Sequence, residues 1–295
     1  MRKLREVIRQ QSRTLFVLAA IGLVWGVNAF LIVDIADVQH DSTLPQRLFS
    51  RHGKPKPTAG APQVEKSPQA SHQEVQPKPE IKPDYHMPEP ADGTIPVINR
   101  IPTEKKVVFL TIDDGLEKTP DAPRLLEKYH IKAPMFLNDV YVKEKPSYFR
   151  SLMLEQGMVV GAHTVDHTDL TTLGYEEQVN EICGNAAHLE EWLGERPSLF
   201  RPPYGSYNDS VVQAAGACGM RAVVMWSAKA NGGSMQYQDG HAGLVAGDIV
   251  LMHFRPEFAA DFKAFIDAAK TAGLQPENLD DWLQPAEVLP EGQQI

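Results

Sequence analysis

The chain is poor in several features, and each shortage excludes something. Only two cysteines, Cys183 and Cys218, occur in 295 residues, and their spacing matches no metal-ligand pattern such as C-x-x-C. Neither lies near the N-terminal apolar stretch, so a lipid-modified cysteine there is excluded. Whether the two pair or remain separate buried thiols is left open by the sequence. No cluster of Lys and Arg occurs in the body of the chain, and the formal net charge is -9, a balance that argues against a nucleic-acid partner. Aromatic residues are nearly absent between residues 34 and 84, which argues against a sugar-polymer-binding module in that stretch. Long apolar runs are scarce too. One extends from Thr14 to Val33, interrupted by Asn28.

That run has roughly the 20 residues a helix needs to cross a bilayer core. It follows a flank carrying Arg2, Lys3, Arg5, Arg9 and Arg13, which the positive-inside rule keeps in the cytoplasm. The sequence therefore predicts a basic tail over 1–13 and a transmembrane signal-anchor over 14–33. It also predicts a single-pass cell-membrane protein whose catalytic part is extracytoplasmic. A signal peptide cleaved near Val27-Asn28-Ala29, with secretion of the remainder, is the competing expectation; such peptides have an apolar core of about 7–15 residues. Residues 34–100 then turn to Pro, Lys, Gln, Ser and Ala, as in Lys54-Pro55-Lys56-Pro57 and Gln76-Pro77-Lys78-Pro79. Too little apolar surface is present to offset the entropy of ordering, so a disordered, polyproline-like linker is expected.

From residue 101 to 295 strands and helices alternate. Val107-Val108-Phe109-Leu110-Thr111-Ile112 is a continuous apolar run, expected for a strand buried on both faces, and it ends in Asp113-Asp114-Gly115. Further strands are expected over 133–137, 158–162, 199–201, 221–226 and 248–253. Helices are expected over 119–129, 146–157, 175–193, 209–218 and 257–272, several closed by a glycine. Repeated β-then-α units imply parallel strands covered by helices, and about 195 residues are too few for a full eight-fold barrel.

The chemistry-bearing residues fall at strand ends, where α/β enzymes collect them. Adjacent side chains on a strand point to opposite sides, so Asp113 and Asp114 need not share one task. A strand runs into His163-Thr164-Val165-Asp166-His167, where two histidines four apart can chelate one metal. Arg201-Pro202-Pro203-Tyr204-Gly205 is a stiff loop able to aim a peptide N–H at an oxyanion. Leu251-Met252-His253 ends a strand in a plausible general acid. His167-Thr168-Asp169 also fits half of an iron(II)-oxygenase triad, but those enzymes are generally antiparallel sandwiches.

In order, Thr111-Ile112-Asp113-Asp114-Gly115, His163 to His167, Arg201 to Gly205 and Leu251-Met252-His253 resemble the motifs of the polysaccharide deacetylase (NodB-homology) family. The resemblance covers about residues 101–275. It implies a distorted (β/α) barrel and metal-dependent removal of acetyl groups from N-acetylated sugars of an extracytoplasmic polysaccharide, peptidoglycan foremost. Carried onto this chain, it makes Asp113 the base, oriented by Arg201, and Asp114, His163 and His167 the metal ligands. Tyr204 supplies an oxyanion N–H, and His253 the acid. Pro203, Tyr204, Trp226 and Leu251 meet the substrate. Zinc is the expected ion, with cobalt, nickel or iron as alternatives. Two departures stand out. Ile112 replaces an aromatic residue, and Trp226-Ser227-Ala228-Lys229-Ala230-Asn231-Gly232-Gly233 lacks the aspartates expected there, one of which supports the histidine. A catalytically weak or inactive glycan-binding domain is therefore the alternative.

Overall fold

The computed structural model describes residues 81–88, 90, 94–238 and 240–284. Its core is a curled, mainly parallel sheet of ten strands: β1 (Val97–Ile98), β2 (Val107–Asp114), β3 (Pro134–Leu137), β4 (Val159–Ala162), β5 (Leu199–Phe200), β6 (Ala222–Val224), β7 (Ala228–Asn231), β8 (Ser234–Tyr237), β9 (Ile249–His253) and β10 (Gln275–Glu277). Seven α-helices accompany them among the described residues: α1 (Asp121–Tyr129), α2 (Asp139–Val142), α3 (Pro146–Gln156), α4 (Tyr175–Leu193), α5 (Asp209–Ala217), α6 (Phe258–Ala272) and α7 (Leu279–Trp282). The strand order is β1-β6-β5-β4-β3-β2-β9-β7-β8, with β10 beside the first half of β2. The segment 222–231 pairs with β5 and β1 in its first half and with β9 in its second, bringing the two ends of the sheet together. The result is the expected distorted (β/α) barrel.

Strand β2 shows why. Every residue in it is buried, and alternation divides its side chains between two cores. Val108, Leu110 and Ile112 pack outward with residues of α1, α3 and α6 such as Leu126, Phe149, Phe262 and Phe265. Ile112, one of the two departures from the resembled motifs, is thus a packing residue. Val107 and Phe109 point into the barrel, where they join Phe136, Leu199, Val224 and Trp282. Trp282 meets Phe109 edge-on at 5.3 Å and plugs the floor. Thr111 and Asp113 continue that inner face above the apolar floor. On the far side α4 and α5 cover β4 to β6, and the Cys183–Cys218 disulfide links α4 to the residue closing α5. A bridge spanning 35 residues restricts the unfolded chain by about 3–4 kcal/mol in the chain-entropy model.

The expected helix ends hold: Gly157, Gly194 and Gly273 close α3, α4 and α6 in the left-handed conformation. Several elements differ. An antiparallel hairpin, β7 and β8, occupies the region of the missing aspartates, turning on Gly232 and Gly233, both at positive φ. Such a two-residue turn matches the twist of its flanking strands. The packed unit also begins ahead of residue 101, since Met87 and Ile95 are buried and β1 pairs with β6.

The expected membrane anchor requires correction. No helix among the described residues is long and apolar enough to cross a membrane. The longest, α4, has 19 residues but carries Glu176, Glu177, Glu181, Glu190 and Glu191. Residues 14–33, on which the anchor was expected, lie outside the described residues, as do 1–13 and most of the expected linker. The transmembrane helix, the signal-anchor, the membrane partner and the single-pass cell-membrane placement are withdrawn.

Close packing at β4 yields a test. A Cβ on Gly161 would lie 2.5 Å from the Phe136 ring, which is fully buried and cannot swing aside. Gly161→Ala should lower unfolding stability by about 1–3 kcal/mol, read from the urea midpoint. An unchanged midpoint would contradict this packing.

Candidate functional site

The C-terminal ends of the parallel strands surround a cleft of about 300 Å³, at the lower end of the usual range for small-ligand sites. Asp113, Asp114, His163, His167, Pro202, Tyr204, Trp226, Lys229, Asn231, Leu251, His253 and Arg255 line it. Of the four residues expected to meet substrate, Tyr204, Trp226 and Leu251 are on the wall. Pro203 is buried and is not part of the lining, and Pro202 stands there instead.

Asp113 and Asp114 face the same cleft, which simple strand alternation does not anticipate. Asp114 adopts φ 73°, a left-handed conformation that turns its carboxylate back toward the histidines. Among the described residues, five non-glycine residues take positive φ. Four of them, Asp114, Thr164, His167 and Tyr204, are in the site or its loops; the fifth, His130, caps α1. Each such residue costs on the order of 1–3 kcal/mol unless its surroundings impose it, and such residues gather at functional sites.

The Asp114 carboxylate approaches both imidazoles. Its Oδ1 lies 3.6 Å from His163 Nε2 and 3.3 Å from His167 Nε2, and this buried oxygen has no hydrogen-bond partner. One donor atom from each of the three residues falls within 4.8 Å of the others. Tetrahedral donors about 2.0–2.1 Å from one ion lie about 3.3–3.4 Å apart, so the residues fit a divalent cation such as zinc. His163 Nδ1 is 2.7 Å from the Arg201 carbonyl, which can only accept. Nδ1 therefore carries the proton, and Nε2 presents its lone pair to the cleft. Burial alone would raise the Asp114 carboxyl, but the neighbouring imidazoles overcome it and hold the group well below the ordinary carboxylate range. Burial alone would lower His163, yet Asp114 and Asp113 pull it above its ordinary value. The raised value favours a second proton, on Nε2, and an ion binding at Nε2 must displace it, so binding weakens toward acid pH.

Behind the cleft, Arg201 is completely buried. Nη1 donates to Asp113 Oδ1 at 2.7 Å and to Thr111 Oγ1 at 2.8 Å, Nε to the Val224 carbonyl at 2.8 Å, and Nη2 to the Met225 carbonyl at 3.0 Å. Its guanidinium also lies over the Phe136 ring at 4.2 Å. Asp113 is thereby fixed in one orientation. His253 is its register partner on β9, so the two side chains leave the sheet side by side. Burial lowers His253 below its ordinary value, against the raising effect of Asp113 and Asp114. No side-chain hydrogen bond to His253 is found among the described residues.

Several supporting residues were not anticipated. Asn185 on α4 accepts from the His163 N–H at 2.9 Å and donates to Asp139 at 2.7 Å. Glu181, one turn earlier, accepts from the N–H groups of Val165 and Asp166. An i, i+4 polar pair is the available signal, but it is also the pattern of a solvated helix face. Arg255, 3.5 Å from Asp114 Oδ2, was also missed.

The cleft and its acid–imidazole cluster place a candidate metal site at the mouth of a (β/α) barrel. A sequence profile of the polysaccharide deacetylase family matches residues 100–223. An uncharacterised protein of Streptomyces coelicolor is 34% identical over 194 residues, covering 64% of this chain and 77% of that one. A peptidoglycan-N-acetylglucosamine deacetylase of Bacillus cereus is 33% identical over 129 residues, covering 43% of this chain and 59% of that protein. Among solved structures, a CE4 family pseudoenzyme from Bacillus anthracis aligns with a TM-score of 0.54 at 26% identity, covering 63% of this chain and 68% of that one. The chain belongs to the polysaccharide deacetylase family.

The Arg201 network makes a direct prediction. Arg201→Met leaves the Asp113 carboxylate buried without a counter-ion and should cost about 3–5 kcal/mol of stability in equilibrium denaturation. Arg201→Lys should recover only part of this, because a point charge cannot reach four acceptors at once. Full recovery would mean that charge alone, rather than the fork, holds the site.

Proposed function

We propose that this protein hydrolyses the acetamido group of N-acetylated sugars in a cell-envelope polysaccharide, peptidoglycan being the favoured polymer. The observation that carries the reading is the convergence of Asp114, His163 and His167 beside Asp113 and His253 in one cleft. The names of relatives support the polymer: the Bacillus cereus protein is a peptidoglycan-N-acetylglucosamine deacetylase.

Asp114, His163 and His167 would hold the metal, with zinc best suited to two imidazoles and a carboxylate, and cobalt, nickel or iron as competitors. When bound, such an ion polarises the acetyl carbonyl and acidifies a water. Asp113, kept ionised and oriented by Arg201, takes a proton from the attacking water. The Tyr204 N–H, held in a left-handed turn (φ 60°), donates to the oxyanion as the water oxygen joins the carbonyl carbon. His253 protonates the nitrogen as the C–N bond breaks, so acetate and a free amine leave rather than an amide anion. Leu251 and Trp226 offer apolar surface to the acetyl methyl.

A second reading, a glycan-binding domain with little or no turnover, is favoured by one observation: no carboxylate orients His253 among the described residues. Acetate release by the full chain separates the two. Metal-stripped protein should be silent on N-acetylglucosamine oligomers and on peptidoglycan, and zinc or cobalt should restore release. Asp113→Asn should reduce the restored rate at least about 100-fold. Silence with metal bound would favour the glycan-binding reading.

A pH profile tests the acid. Protonated His253 is the competent form, and burial holds its value below the ordinary imidazole range. The kcat/KM should therefore fall as pH rises through a midpoint below about 6.5, and His253→Gln should abolish that fall. A profile unaltered by His253→Gln would remove His253 from the role.

A further inference from the structure

Two cations in the cleft have no part in the hydrolytic scheme. Strand β7 alternates: Ala228 and Ala230 pack into the outer core, while Lys229 and Asn231 line the cleft. Register pairing sets Lys229 beside Leu251, another lining residue. Among the described residues, the Lys229 ammonium has neither a hydrogen bond nor an ion pair. Arg255, two residues beyond His253, has a side chain 41% exposed and borders the same cleft. Among the described residues it forms one ion pair, with Asp114 at 3.5 Å, and Asp114 also faces His163 and His167. An ion on Asp114 would draw off the negative charge that Arg255 now shares.

A neutral sugar leaves the Lys229 ammonium without a counter-charge and Arg255 with only its share of Asp114, and the ammonium formed on deacetylation would be repelled by both. A carboxylate within reach would satisfy them, and charge-assisted bonds of this kind are roughly twice as strong as neutral ones. We infer that Lys229, with Arg255, forms an anion subsite, and that the substrate is an acidic amino sugar, carrying a carboxylate on the sugar that bears the acetamido group or on its neighbour. This rests on the deacetylase reading and narrows it from N-acetylated sugars at large to anionic ones. Lys229 is a specificity determinant in this scheme, since no proton or bond of the reaction passes through it.

The probe is a peptidoglycan glycan strand stripped of its peptides, whose muramic acid units bear a lactyl carboxylate. Its control is the same strand with those carboxyls converted to methylamides. Binding is measured calorimetrically on the metal-loaded full chain carrying Asp113→Asn, so the comparison does not depend on turnover; kcat/KM on the unsubstituted chain is the second readout. The carboxylate strand should bind about tenfold tighter than the amide strand, and the gap should narrow as salt rises. Lys229→Gln should close most of the gap and Lys229→Arg restore it, with circular dichroism confirming that each variant is folded. Equal affinity for the two strands, or a gap indifferent to Lys229→Gln, overturns the subsite. Preference for the carboxylate strand without acetate release would uphold the subsite and overturn the deacetylase reading alone.

Discussion

A guanidinium buried with no access to water holds this cleft together. Arg201 spends its donors on Asp113, Thr111 and the carbonyls of Val224 and Met225, while its own carbonyl receives the His163 ring N–H. One residue thus fixes the orientation of Asp113 and the tautomer of His163. It does so from the loop after β5, bridging side chains on β2 with the backbone beyond β6. An isolated cation there would be prohibitively costly, and its burial is tolerated because every direction it presents meets an acceptor or the face of Phe136. The tightness of Phe136 against Gly161 belongs to the same arrangement.

Around that fixed point, the chain accepts backbone strain to aim its acidic and imidazole side chains. Asp114, Thr164 and His167 all adopt conformations that glycine would take more readily. Hydrogen bonds hold the histidine loop: Asn185 and Glu181 of α4 grip the N–H groups of His163, Val165 and Asp166, and within the loop Thr164 Oγ1 accepts from His167. The loop that carries His163 and His167 is therefore shaped by the protein's own hydrogen bonds, the kind of support that orients metal-binding side chains.

The barrel was legible because its inner strands are continuous apolar runs and its helices end in glycine caps. The motif residues were legible because the chemistry they resemble demands fixed residue types at strand ends. Other features were hidden for physical reasons. Alternation along β2 predicts that Asp113 and Asp114 diverge, and only the positive φ at Asp114 reunites them. The hairpin of β7 and β8 contains Ala, Lys, Asn and Ser, residues of low strand propensity, so its one signal was the Gly232-Gly233 turn. The pairing of Cys183 with Cys218 depends on how α4 packs beside α5, which spacing alone cannot specify. The membrane anchor was inferred from an apolar run that lies outside the described residues, and nothing within them supports it.

Cobalt(II) titration of metal-free protein, followed by visible absorption, addresses the cluster without requiring turnover. One equivalent should bind, with the intense d–d bands of a low-coordinate site containing two imidazoles and a carboxylate. Asp114→Ala or His163→Ala should abolish that spectrum while leaving the fold intact by circular dichroism. Weak binding of several equivalents, or a spectrum indifferent to both substitutions, would contradict a metal centre built from Asp114, His163 and His167.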